Sequence, residues 1–310
     1  MLLSKPILDA FGVLTICLVC VLVLLGLFAT YHTIHFCNGV RKQGYVQLDC
    51  FNKPWITRIT FIFFAICSVA GEITRLTFLR HKQTVCKFYL VSNLGLAEPC
   101  FLLTFLFLLR ASVKKSRELG ADWKTICYIF LFSVPSLIIQ LLVVLMGGRL
   151  PSKIHAWKVP HYFTTVVAPV VHGGVTSVQC TYPLLSIIFF GMYAVVVTLY
   201  SLWLERQMVC LVINKKLRKR VFFLIFVSSL IPIRVTFLGL SILSHPGKLV
   251  FEALVFTSFV VLLCCSGLSI SMLVLYPVSD SLALMRLWDF EAESSNIQNN
   301  REAKDELNAA

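Results

Sequence analysis

Charged residues are scarce in this chain. Asp, Glu, Lys and Arg make up 14% of its 310 positions, where soluble domains carry about 25%. Acids are scarcer than bases, 15 against 28. With 58% hydrophobic residues and a mean hydropathy of +0.83, the chain does not read as a soluble globular domain. Enzyme signatures are missing too. There is no HExxH helix, no GxSxG elbow, no glycine-rich phosphate loop and no pair of membrane carboxylates spaced as a protease dyad. The histidines, His32, His35, His81, His155, His161, His172 and His245, scatter near helix ends, without the short spacings of metal ligands. These absences predict no catalysis, no metal and no cofactor.

What is present is a series of apolar runs of about twenty residues, the length that crosses a bilayer. Seven qualify, over residues 8–32, 56–79, 88–109, 125–146, 183–204, 221–243 and 250–276; they are called helices 1 to 7 below. They predict an all-α integral membrane protein, a seven-helix transmembrane bundle over residues 1–290. Residues 291–310 are polar and read as a disordered cytoplasmic tail. The first run is too long for a signal-peptide core and reads as a retained helix. The run Tyr162 to Val171 is about half the length of a span and holds Pro169, with Gly173 and Gly174 just beyond. It reads as a structured loop or a re-entrant piece rather than an eighth span.

Lys and Arg in the loops set the orientation. With the N-terminus outside, fifteen fall on the cytoplasmic side. These are Arg41, Lys42 and Lys53; Arg110, Lys114, Lys115, Arg117 and Lys124; Arg206, Lys215, Lys216, Arg218, Lys219 and Arg220; and Arg286. Eight fall outside: Lys5, Arg80, Lys82, Lys87, Arg149, Lys153, Lys158 and Lys248. The bias predicts the N-terminus outside and the C-terminus in the cytoplasm. It also accounts for the net charge of +13 without nucleic acid, because basic loops face anionic membrane lipids. The densest cluster, Lys215, Lys216, Arg218, Lys219 and Arg220, has two readings: a lipid-contacting stop-transfer run, or a docking surface for an acidic cytosolic partner.

Most of the twelve cysteines lie inside apolar runs, where cysteine behaves as a small hydrophobe. Cys37 and Cys210, on the inner side, are candidates for palmitoylation. Cys86 and Cys180 stand apart. The orientation puts Cys86 at the outer mouth of helix 3 and Cys180 in the second outer loop, three residues before helix 5. A disulfide between them on the oxidising side would pin that loop over the bundle; the alternative is two unpaired thiols.

Polar residues inside the spans are the candidate site. A carboxylate in a span is costly unless it faces the bundle interior and pairs. Glu72 and Arg75 share a face of helix 2, with Glu72 about 24 Å along it. Asn93 lies near the outer boundary of helix 3 and Glu98 near its midplane, while Arg234 lies about 20 Å into helix 6. The depths predict that Glu98 pairs with Arg234 and Glu72 with Arg75. Three readings stand together: a network that fixes packing, a ligand pocket open to the outside, or an ion or proton path. Gln140 and the set Ser266, Ser269 and Ser271 would extend the network. Pro99 and Pro232 are candidate hinges, with Pro135 and Pro183 at helices 4 and 5.

Seven helices, an outside N-terminus, a cysteine opening helix 3 and a partner in a long second outer loop resemble a G-protein-coupled receptor over residues 1–290. The inner end of helix 3 reads Leu108-Leu109-Arg110-Ala111, without the acidic neighbour or the tyrosine of the rhodopsin-type signature. Helix 7 ends Leu275-Tyr276-Pro277-Val278, without the asparagine–proline pair, and Leu230 stands where an aromatic would precede Pro232. Leu8-Asp9-Ala10-Phe11-Gly12 and Gly71-Glu72-Ile73-Thr74-Arg75 look more like the plant seven-helix proteins grouped as candidate G-protein-coupled receptors. That resemblance implies a receptor-like protein, at the plasma membrane rather than an endomembrane. It would bind an extracellular ligand and engage a heterotrimeric G protein or another cytosolic partner. The alternatives are a small-solute transporter and a membrane scaffold that recruits cytosolic proteins. The Lys304-Asp305-Glu306-Leu307 string resembles a retention signal but is followed by Asn308, Ala309 and Ala310, so a receptor for terminal signals would not read it.

Overall fold

The computed structural model describes residues 5–43, 54–75, 83–113, 122–147, 167–172, 175–211, 215–244, 249–287 and 290. Seven helices among them are long and apolar enough to cross a membrane. They are α1, Lys5–Gln43; α2, Trp55–Gly71, which tightens into a 3-10 turn at Glu72–Arg75; and α3. Helix α3 begins as Gln83–Ser92, widens into a π-helical turn at Asn93–Ala97 and resumes as Glu98–Val113. Then come α4, Asp122–Gly147; α5, Leu184–Leu211; α6, Lys215–Leu243; and α7. Helix α7 runs Leu249–Ile270, passes through a π-helical turn at Ser271–Leu275 and continues to residue 287. The expected tail, 291–310, lies outside the described residues, as does the expected end of helix 2 beyond residue 75.

Several helices run past their apolar cores. Ladder hydrogen bonds continue after hydropathy falls, so polar residues expected in loops are helical. Lys215 to Arg220 form the first turns of α6, and Glu205 and Arg206 lie inside α5. Helix α3 is the hub. In its apolar window 67% of the residues are buried, against 22% for α1 and 28% for α4. Its face packs Phe101 on Phe61 of α2, ring centroids 5.4 Å apart, and Phe61 is fully buried.

Both π turns have a proline in the same relation. Pro99 and Pro277 each stand two residues after the turn ends, following Glu98 and Tyr276. Proline has no N–H and its ring collides with the carbonyl four residues back. The chain relieves both by one wide turn: the Glu98 amide donates to the Asn93 carbonyl and the Tyr276 amide to the Ser271 carbonyl, each five residues back.

Of the run expected as a loop or re-entrant piece, residues 167–171 lie in a strand, and 162–166 fall outside the described residues. β1, Val167–His172, pairs antiparallel with β2, Val175–Cys180, in a register that sets Val167 opposite Cys180. Its sequence signal is the Gly173-Gly174 pair between two β-rich runs. Extended pairing suits a stretch too short to cross a bilayer, and it leads the chain into Cys180. Cys86 and Cys180 are joined in a disulfide, with Cα atoms 5.5 Å apart. One turn along α3, the hydroxyls of Tyr89 and Tyr182 meet at 2.9 Å.

Small residues set the helix spacings. A Cβ at Gly26 of α1 would stand 2.7 Å from Ile66 of α2, and one at Gly71 would stand 2.8 Å from the Asn93 amide oxygen. Gly267 is different. A Cβ there would meet Leu22 at an ordinary 3.7 Å, so α7 does not depend on a glycine at that position to approach α1.

Candidate functional site

The polar core is built from four helices. Arg234 of α6 donates from Nη1 to Oε2 of Glu98 and from Nη2 to Oε1 of Glu98 at 2.8 Å. The same Nη2 reaches Oε1 of Glu72 at 3.4 Å. Asn93 donates from Nδ2 to Oε1 of Glu98 at 3.2 Å, and Ser258 of α7 donates to the backbone carbonyl of Arg234 at 3.4 Å. Glu72, Asn93, Glu98 and Arg234 are all buried, at 4%, 2%, 2% and 5% exposure. A charge this deep is tolerated where it is paired and hydrogen-bonded. The planar guanidinium does that for two carboxylates at once, through parallel bonds that a lysine would not form.

Local structure supplies the aim. The π turn rotates Glu98 relative to a continuous helix, and its own Asn93 then lies beside the carboxylate. Gly71, lacking a side chain, makes room for Asn93. The 3-10 turn at the end of α2 carries Glu72 inward. Arg234 follows Pro232 by two residues in α6; Pro232 removes one ladder bond from that helix.

Among the expected site residues, the structure thus brings together Glu72, Asn93, Glu98 and Arg234. Glu72 meets Arg234 at 3.4 Å; its expected pairing with Arg75 falls on a side chain outside what is described. Arg234 as a partner of Glu72 was not legible in the sequence, because the two sit 162 positions apart on different helices.

Gln140 does not join the cluster. It bonds across to α5, donating to the Ser186 carbonyl at 3.0 Å and accepting the Ser186 hydroxyl. Ser271 bonds back to Gly267 within α7 at 2.9 Å. Ser266 and Ser269 are buried.

The space beside the cluster is small. A cavity bordered by Glu98, Arg234, Phe101, Phe190, Leu230 and Cys265 offers about 20 Å³ to water centres, where a single water needs roughly 10–15 Å³. That cavity beside the ionic core has room for about one water.

A third buried acid, besides Glu72 and Glu98, was missed. Glu205 of α5 is fully buried and accepts the Ser228 hydroxyl of α6 at 2.6 Å. The expected end of helix 5 at residue 204 left it in a loop; the helical extension buries it. Ser228 is the residue whose backbone carbonyl loses its usual donor to Pro232, four positions on. Glu252, also buried, is a fourth.

The basic cluster divides. Arg220 bonds Asp280 of α7 at 2.6 Å and lies 4.9 Å over the Tyr276 ring. Lys215, Arg218 and Lys219 are exposed, with Arg218 5.8 Å over Phe222. The Lys216 side chain lies outside what is described.

A family model described as "Uncharacterised conserved protein UCP031277" matches residues 1–290. The chain belongs to that family. The matched stretch contains all seven spans. No curated protein matches the chain.

Proposed function

We propose that this family member is a receptor-like seven-helix protein, with its N-terminus outside the plasma membrane and its basic end in the cytoplasm. The supporting observation is the bond from Arg234, beside Pro232 in α6, to carboxylates on α2 and α3. Three helices meet at one guanidinium, next to a helix that has lost a ladder bond. Such an arrangement suits two packings of one bundle, one with the ions joined and one with them parted. An external ligand would act at the disulfide end, because the core offers room for about one water. Cytosolic partners, a heterotrimeric G protein or another signalling protein, would act at the Lys215 end.

The transporter and scaffold readings separate from this one in two assays on the full chain. Solute flux into reconstituted vesicles that disappears with Glu98→Gln would establish transport and sink the receptor reading. Charge reversal in the basic cluster that abolishes partner recruitment, while Glu98→Gln changes nothing, would establish the scaffold. The receptor reading expects no flux, and partner recruitment that changes with Glu98→Gln. A glycosylation tag modified in the C-terminal tail would overturn the orientation.

A further inference from the structure

We infer that Lys215, Arg218 and Lys219 form a binding site for anionic phospholipid headgroups, with Phe222 and Phe226 beneath them against the acyl chains. This goes beyond the receptor reading and does not depend on it. All three cations are exposed, and Phe222 and Phe226 are 52% and 53% exposed. Positions 215, 219, 222 and 226 advance by four, three and four residues, so they lie along one face of α6. The face thus carries positive charge at its tip and aromatic surface immediately below it.

Helix length fixes where this face stands. From Val221 to Leu243 the helix is apolar and rises about 34 Å, enough to fill a hydrocarbon core of about 30 Å. The cations therefore occupy the next turn and a half, at the headgroups. A soluble acidic partner could meet Lys215 but not the exposed ring of Phe226, which lies on the membrane side. Exposed Arg41, Arg110, Lys124, Arg206 and Arg286 lie toward helix ends that the alternating path of the chain brings to the same end of the bundle. Their summed field favours an anionic leaflet. Arg220 is excluded from the site, since Asp280 and Tyr276 hold it.

The test uses the full chain in phosphatidylcholine vesicles, with spin-labelled phosphatidylserine or phosphatidylcholine as the probe. The readout is the ratio of the two lipids' association with the protein. The wild type should prefer phosphatidylserine, with the preference falling about five-fold at most for each cation removed and weakening in high salt. Arg220→Gln should keep the preference. The triple variant Lys215→Gln, Arg218→Gln, Lys219→Gln should lose it. A triple variant that retains the wild-type ratio would overturn the proposal. So would a wild type with no preference, including one that binds soluble poly-glutamate through these residues, which would mark an acidic-protein site. Arg218→Gln alone repeats the measurement if the triple variant fails to fold, and an unchanged ratio there overturns the site equally.

Discussion

Arg234 and Glu98, 136 positions apart in sequence, meet through two parallel hydrogen bonds in the middle of the bundle. Glu72 shares the same guanidinium. Removing the cation leaves two carboxylates with burial above nine-tenths, so Arg234→Leu should cost about 3–5 kcal/mol, read as a lowered Tm in detergent. Replacing Glu98 and Arg234 together by methionine should recover a substantial part of that loss, because no uncompensated charge remains at the pair. A double variant as unstable as Arg234→Leu alone would show that the pair does more than balance charge.

Gly71 and Gly239 form a matched test of close approach. A side chain at Gly71 would run into Asn93 at 2.8 Å, so Gly71→Ala should destabilise by about 1–3 kcal/mol. Gly239 has nothing within 4 Å of its would-be Cβ, and Gly239→Ala should be neutral or gain up to about 1 kcal/mol from helix propensity. Thermal denaturation of the two variants side by side decides it; equal effects would contradict the packing described.

At the disulfide end, Cys86–Cys180 and Tyr89–Tyr182 both link α3 to the chain entering α5. Removing the disulfide with Cys86→Ser should cost about 2–5 kcal/mol. Tyr182→Phe leaves the ring and removes one hydroxyl, for about 1 kcal/mol. Thiol labelling of denatured wild type should count two more thiols after reduction than before, and the Cys86→Ser variant should show no such gain.

Ser228 is the hydroxyl donor to the buried Glu205. Ser228→Ala should therefore cost about 1–3 kcal/mol, more than Ser229→Ala on the next position, whose hydroxyl bonds back to Phe226 within its own helix. Chemical denaturation of the two reconstituted variants provides the comparison, and a larger loss at Ser229 would refute the assignment.

Hydropathy made the seven spans legible, because the cost of exposing a backbone to lipid is local and helices satisfy it segment by segment. Depth along each helix was legible too, at 1.5 Å per residue, and it brought Glu98 level with Arg234. Rotation about each helix axis was not. It decided that Glu72 turns to Arg234 while Gln140 turns to Ser186. The local signals that went unread were specific: Gly173-Gly174 marked the hairpin, and an acid one residue past an apolar run marked Glu205.

By itself, the order of residues pointed to a seven-helix bundle, to Cys86 and Cys180 as the candidate disulfide and to the level of the ionic core, since span, side and depth can each be read along one dimension. The tertiary structure decided which side chains share the guanidinium, how α3 widens before Pro99, and that a cavity of about 20 Å³ lies against Glu98 and Arg234. Those outcomes depend on how helices far apart in the chain turn and pack against one another, and a buried charge takes whichever partner that packing presents.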